Sequence, residues 1–512
     1  MKIVWMAITI FISVVIASAQ TNSSKSIRLT ISPDDVLNDV PIDYTGLSYE
    51  TVQLADPDFF SADNKSLIAL FRQLSPHGVL RLGGNSSEFC WWKTSDDQQP
   101  PVQHTAGQGR ADNWMPQSFH AITPKAVDHL AGFLDATGWT LIYGLNFGTG
   151  SPARDATEAA YVAHAVGSRL KYFQIGNEPD FYSRANNLLR PPGWGFDDYM
   201  NEWTAIADAV SARVPEARFG GPDMGATSDW VVKFAQAAPK RVGARIAMLS
   251  GHYYAMGPPD SPSATIANLL APKPAVVERM QQIMPIARKS KLDYRMTEGN
   301  SCYRGGKPDV SNALAGALWG GDYELAMAAL GCKGVNFHGG GGSQISASLG
   351  TKLPGVRNDA DRKVANLGAF YTPIAGSREA SFSARPLFYG MMLAEQFAGT
   401  KLVRTTFDSN DVNVTEYAGR DDKGGYRIAL FNKDDTKDVT VTIIGQSSDA
   451  RVWRLSASAL DATVGVTLAG AEIDANETWR AARVEKIQQH DGALIVTLPH
   501  ASAALLFINK SE

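Results

Sequence analysis

Two glutamates carry the strongest chemical signal in this sequence. Glu178 stands in "YFQIGNEPDFY", where an apolar run ends on an Asn-Glu pair before a proline, and Glu298 stands in "LDYRMTEGN", where a second apolar run ends on a carboxylate before glycine. Two carboxyls at the ends of buried-looking runs can divide labour if the fold brings them face to face. One, held protonated, delivers a proton to a leaving oxygen; the other attacks or activates water, which is what cleavage of a glycosidic bond requires. A separation of ~5 to 5.5 Å gives retention through a covalent intermediate, and ~6.5 to 9.5 Å gives inversion. The sequence leaves that choice open.

Other reactive residue types lack the spacing that would give them a role of their own. His252 and His338 have no H-x-x-x-H or cysteine-rich company, so they read as groups that orient polar neighbours rather than as metal ligands. Cys302 has no paired base and is no protease signature. The run Gly339 to Gly342 lacks the strand and helix context of a phosphate loop and reads as a mobile loop. No metal and no cofactor is expected.

The elements that must position the glutamates follow from periodicity. Eight short apolar, β-branched or aromatic runs read as strands: Asp43 to Glu50, Val79 to Asn85, Trp139 to Asn146, Tyr172 to Glu178, Ala217 to Asp223, Ile246 to Tyr254, Leu292 to Glu298 and Lys333 to Gly339. Amphipathic patterns alternate with them, as at Ala156 to Leu170, Asp197 to Val214 and Ser311 to Leu330, and Pro386 to Gly399 supplies the last helix. Eight strand-helix units predict an α/β fold, a (β/α)8 TIM barrel. Most strand candidates end in polar or glycine-rich tails, as a barrel with its site at the C-terminal rim requires. Glu178 and Glu298, on strands four and seven, then face one another across the cup.

After Gly399 the pattern changes to alternating runs such as "YRIALFN", "VTVTIIG" and "ALIVTLP" between Gly, Asn and Asp turns, which predicts an additional antiparallel β-sandwich-like domain. The expected division is a signal peptide over 1–19, an N-terminal segment over 20–40 that pairs with the β domain, a catalytic barrel over 41–399 and the β domain over 400–512. The leader "MKIVWMAITIFISVVIASAQ" has one lysine, an apolar run and a small-x-small site at Ala17 to Ala19. It predicts a secreted or periplasmic chain with no membrane association after cleavage.

Composition narrows the function classes. Lys+Arg 48 against Asp+Glu 52 leaves a net charge of −4, so no global positive field draws nucleic acid. Three cysteines cannot build a disulfide framework, and 44% hydrophobic residues over 512 positions give the core enough material to stabilise the fold alone.

The motif "QIGNEPD" resembles the acid/base motif of the clan A retaining glycoside hydrolases. Within that clan the chain resembles glycoside hydrolase family 79, the family of heparanase and of bacterial exo-acting β-glucuronidases, through "VLRLGGN", "GHYY", "TEGNSCYRGG" and "PLFYGMMLAEQFAGTKLV" in matching order. The resemblance implies that Glu178 is the general acid/base and Glu298 the nucleophile. It places Asn177 on the sugar 2-hydroxyl, Tyr253 or Tyr254 beside Glu298, Glu50 on outer hydroxyls of the sugar and Asn85 at a further sugar contact. It also assigns a uronate clamp to the Tyr303 hydroxyl, the Gly305 backbone N–H and Tyr371.

The implied partner is a glucuronic-acid-containing glycan or a glucuronide, cleaved at a terminal unit by a retaining exo-β-glucuronidase. An endo-acting heparanase-like enzyme and a catalytically silent carbohydrate-binding barrel are the alternatives. The segment "GGGGSQISASLGTKLPGVRNDADRKVANLG" reads as a long loop that walls the cleft, and no dense basic clusters flank these loops, which favours exo action over cleavage within a sulfated polymer.

Overall fold

The computed structural model describes residues 25–101, 119–184, 189–409 and 412–510; the leader at 1–19 lies outside them. Eight parallel strands close into a barrel. They are β1 (Thr45–Glu50), β2 (Val79–Gly83), β3 (Thr140–Leu145), β4 (Leu170–Ile175), β5 (Phe219–Met224), β6 (Ile246–Met256), β7 (Tyr294–Cys302) and β8 (Val335–Gly339), one in each predicted run. Parallel strands covered by helices are buried on both faces, which is why near-continuous apolar runs rather than strict alternation mark them. Two boundaries differ usefully from expectation. β4 stops at Ile175, short of Glu178, and β7 continues to Cys302, so Glu298 sits within a strand.

Around the barrel run α1 (Lys65–Leu74), α2 (Pro124–Thr137), α3 (Pro152–Val166), α4 (Phe196–Arg213), α5 (Ser228–Val242), α6 (Pro274–Ser290) and α7 (Leu314–Ala329). Their starts follow capping chemistry: Thr123 and Ser151 accept N–H bonds from Ala126 and Arg154, and Pro124 and Pro152 occupy the first turns, where their missing N–H costs nothing.

The segment after β8 is neither a plain loop nor a mobile glycine run. It folds into α8 (Gly342–Leu349) and α9 (Asp359–Leu367) before α10 (Pro386–Glu395). The glycine serves close packing: a Cβ on Gly342 would lie 1.8 Å from the Ala365 carbonyl oxygen, so only glycine lets α8 meet α9. A side-chain cap from Asn358 to the Asp361 N–H (2.9 Å) starts α9.

Ten strands form the second sheet. The N-terminal strand Lys25–Asp39 runs inside it, antiparallel to Lys401–Phe407 and parallel to Val439–Ile444, so one ladder departs from the antiparallel pattern. The domain packs on α7 and α10. Asp322 of α7 accepts bonds from Lys433 (2.5 Å), Thr415 (2.5 Å) and Tyr417 (2.8 Å) of the sheet. At Gly390 of α10 a Cβ would lie 2.1 Å from the Ala317 carbonyl, so α7 and α10 meet at backbone distance. Cys90, Cys302 and Cys332 are buried and unpaired. No helix among the described residues is long and apolar enough to cross a membrane.

Candidate active site

Beyond Ile175 the chain turns sharply through Gly176, at φ 86°, and Glu178 takes the left-handed conformation at φ 49°. That conformation is uncommon and costly for a residue with a Cβ, so the surroundings must hold it. The Glu178 N–H donates to the Asp223 carbonyl (3.0 Å), tying the end of β4 to β5. Gly225 leaves room for the carboxylate: a Cβ there would come within 2.8 Å of Glu178 Oε1 and 2.6 Å of the Phe181 ring.

Glu298, on β7, points into the same cup. An oxygen of Glu178, a ring nitrogen of His252 and an oxygen of Glu298 all lie within 4.8 Å of one another. Arg81 Nη1 donates to Glu298 Oε2 (2.6 Å), and the Tyr254 hydroxyl donates to Oε1 (2.8 Å). Tyr254 is thus the tyrosine that orients Glu298. Tyr253, the first choice from the motif, instead lays its ring on Tyr323 with centroids 5.4 Å apart. Successive strand residues point to opposite faces, so the two rings diverge: both border the pocket, but only Tyr254 bonds Glu298.

Arg81 is the hub beneath the pocket. Besides Glu298, its guanidinium donates to Asn177 Oδ1 (2.9 Å), Gln174 Oε1 (3.0 Å), Ser48 Oγ (3.1 Å) and Asp223. His252 joins Asp223 to the acid/base candidate, with Nδ1 3.0 Å from Glu178 Oε1 and Nε2 3.1 Å from Asp223 Oδ1.

These neighbours set the two glutamates apart. Burial pushes the Glu178 carboxyl above the usual range, and the contact with His252 only partly offsets it. Burial acts on Glu298 in the same direction, but His338, His252, Arg81 and the Tyr254 hydroxyl together outweigh it and hold that carboxyl well below the usual range. Burial alone would discharge His252, yet the Asp223 and Glu298 charges raise it to about 10. The arrangement therefore shifts Glu178 toward its protonated form and Glu298 toward its ionised form: like side chains in unlike surroundings. Glu178, His252 and Glu298 are ligand types for a cation, but a protonated imidazole engaged at both nitrogens, beside a buried arginine, does not fit a metal site.

A pocket of about 450 Å³ opens above this layer, within the range of small-ligand sites. Of the residues singled out in the sequence, Glu50, Asn85, Glu178, Tyr253, Glu298, Tyr303 and Tyr371 line it. Glu50 accepts from the Ser86 N–H (2.9 Å) and hydroxyl (2.7 Å). The approach needs Gly84, where a Cβ would fall 2.3 Å from the Glu50 carboxylate. Two residues do not reach the pocket wall. Asn177 lies below it, with its side chain held by Arg81 and donating to Asn85 Oδ1 (3.2 Å), and Gly305 is buried behind Tyr303 with its carbonyl accepting from the Phe370 N–H (2.7 Å). Arg184 and Arg304 both line the wall, so the fold gathers cations that are dispersed along the chain.

Residues 412–505 match the glycosyl hydrolase family 79 C-terminal beta domain. The chain is a glycoside hydrolase. Along 96% of its length the chain is 25% identical to a β-glucuronidase of Aspergillus niger, covering 95% of that protein. It is 26% identical to a β-glucuronidase of Neurospora crassa over 55% of each chain. Both relatives are fungal and neither speaks for the bacterial exo-acting branch. In fold it is similar to a 4-O-α-L-rhamnosyl-β-D-glucuronidase from Fusarium oxysporum, with TM-score 0.71, 18% identity and coverage of 94% of this chain and 100% of that one.

Sequence reasoning missed Arg81, Asp223 and Gln174. A signal existed: each is a polar residue inside an apolar barrel strand, where only a polar network in the interior satisfies it.

Proposed function

We propose that the chain is a retaining exo-β-glucuronidase. The observation that carries this reading is the pair of glutamate oxygens within 4.8 Å, one carboxyl raised and the other depressed by its neighbours. That separation lies on the side of direct attack rather than of an interposed water. Glu298 attacks the anomeric carbon as Glu178 protonates the leaving oxygen; Glu178, now ionised, then takes a proton from the water that releases the sugar.

The relatives named as β-glucuronidases support a glucuronide as substrate. So does the lining of the cup next to Glu298, where Tyr254, Tyr303 and Tyr371 cluster with ring centroids 6.3 Å apart from Tyr254 to each neighbour. Phenol hydroxyls from Tyr303 and Tyr371 can hold a C6 carboxylate without bringing a second arginine against Glu298. Helix α8 supports exo action: it packs on the loops after β1 and β2 and presents Ile345 and Leu349 to the pocket as a wall. The leader at 1–19 supports export.

The direct test compares 4-nitrophenyl β-glucuronide with its glucoside and galactoside; hydrolysis confined to the neutral sugars would refute the substrate assignment. Glu178→Ala is expected to slow glucuronides with poor leaving groups by about 10²- to 10⁴-fold and activated aryl glucuronides far less, with azide restoring part of the turnover. A uniform loss across leaving groups would remove Glu178 from the acid role. Tyr303→Phe is expected to lower kcat/KM for the glucuronide by about tenfold, the worth of a hydrogen bond to a charged group, while any glucosidase activity is spared. Equal losses on both substrates would refute the clamp.

A further inference from the structure

The pocket wall beside Glu178 is cationic and aromatic, and the mechanism leaves it unused. Phe181 follows the acid/base candidate by three positions, and the guanidinium carbon of Arg184 sits 3.7 Å from the centroid of its ring. Both residues line the pocket with Gly225 and Ala226. The platform is fixed from below: Asp180 accepts the N–H groups of Gly225 (3.0 Å), Ala226 (3.0 Å) and Thr227 (3.2 Å) and the Thr227 hydroxyl (3.1 Å). Those bonds hold the turn after β5 against the turn after β4. They also engage the carboxylate closest in sequence to Arg184, whose guanidinium shows no ion pair among the described residues.

The position of this wall decides what it can read. A general acid must reach the oxygen of the departing group, so that group leaves past Glu178 and not past the tyrosines around Glu298. The group next to Glu178 on that side is Phe181, which would touch a Gly225 Cβ that also touches Glu178 Oε1. An aromatic face suits the flat face of a sugar or an aryl ring, and a planar guanidinium stacked on it is pre-organised for a bidentate anion.

We propose that Phe181 and Arg184 form a leaving-group subsite that selects an anionic aglycone, one carrying a carboxylate or a sulfate on the unit attached to the glucuronate. The proposal rests on the glucuronidase reading and adds the chemical class of the other half of the substrate. Arg184 is exposed, so the gain is that of a partly screened ion pair and is felt as a preference rather than a requirement.

The test measures kcat/KM for three β-glucuronides whose leaving groups are 4-carboxyphenol, 4-sulfophenol and the uncharged 4-carbamoylphenol, in wild type, Arg184→Gln, Arg184→Lys and Arg304→Gln. The ratio of a charged substrate to the uncharged one is expected to fall about fivefold in Arg184→Gln relative to wild type, to fall less in Arg184→Lys and to shrink in wild type as salt is raised. Taking each ratio within one enzyme cancels differences in overall activity, and comparing the ratios between enzymes cancels differences in phenol acidity. The larger gain between the carboxylate and sulfonate arms assigns the preferred neighbour as an acidic sugar or a sulfated one. A ratio unchanged by Arg184→Gln, or one lost only in Arg304→Gln, overturns the subsite. Absence of turnover on all three substrates overturns the glucuronidase reading itself, a result distinct from turnover without charge preference.

Discussion

Glu298→Gln is expected to lower hydrolysis of an aryl β-glucuronide by about 10⁴-fold or more, the scale on which removal of a nucleophile acts. The amide keeps nearly the same volume, its oxygen can accept from Arg81 and its NH2 can donate to the Tyr254 hydroxyl oxygen, so the barrel should fold and the loss should lie in chemistry. The same proposal makes a covalent claim. Wild-type protein treated with a 2-deoxy-2-fluoro-β-glucuronide bearing a good leaving group should gain one glycosyl mass, and peptide mapping should place it on Glu298. Turnover near wild type in Glu298→Gln, or a label on another residue, would end the double-displacement mechanism. The pH profile is a second readout. Activity needs Glu298 ionised and Glu178 protonated, so the acidic limb should fall below the ordinary glutamate range and the alkaline limb above it.

Much of this site was legible because its parts obey local rules. Barrel strands announce themselves as apolar runs, and the glutamates stand out because a carboxylate after such a run demands a reason. The helical caps at Thr123 and Ser151 are likewise written in adjacent residues. What stayed hidden depends on residues far apart in the chain. Arg81 meets Glu298, 217 positions away, and no periodicity records such a pairing. The choice between Tyr253 and Tyr254 turns on strand register, where a slip of one residue exchanges the faces. The helices after β8 were concealed by glycine: a Gly-rich stretch signals freedom to a sequence reader, whereas Gly342 is there because α9 leaves no space for a Cβ.

The layer around Arg81 supports the second large prediction. Arg81→Met places an apolar side chain of similar length at the centre of the barrel and leaves Asp223 and Glu298, both buried, without their guanidinium. Breaking a buried pair from one side costs about 3–5 kcal/mol, because the surviving charge can neither return to water nor find a new partner. Thermal or denaturant unfolding should register a loss of that size at neutral pH.

The pH dependence identifies the cause. Asp223 and Glu298 are both depressed in the folded protein, Asp223 because Arg81 and His252 outweigh its burial. Depressed carboxyls contribute stability that is fully present above their unfolded values, about pH 4 to 4.5, and is lost as pH falls toward the folded ones. Arg81→Met should therefore narrow its gap to wild type as the solution is acidified, since protonation removes the charges that the variant cannot pair. In parallel the acidic limb of its residual activity should move upward, as Glu298 loses one of the groups that keep it ionised. Arg81→Lys should fall between the two, because a compact ammonium keeps the charge but cannot span Glu298, Asp223 and Asn177 at once. A destabilisation of Arg81→Met that is the same at every pH would mean that Arg81 acts through packing alone, and the electrostatic account of Glu298 would have to rest on His252, His338 and Tyr254 without it.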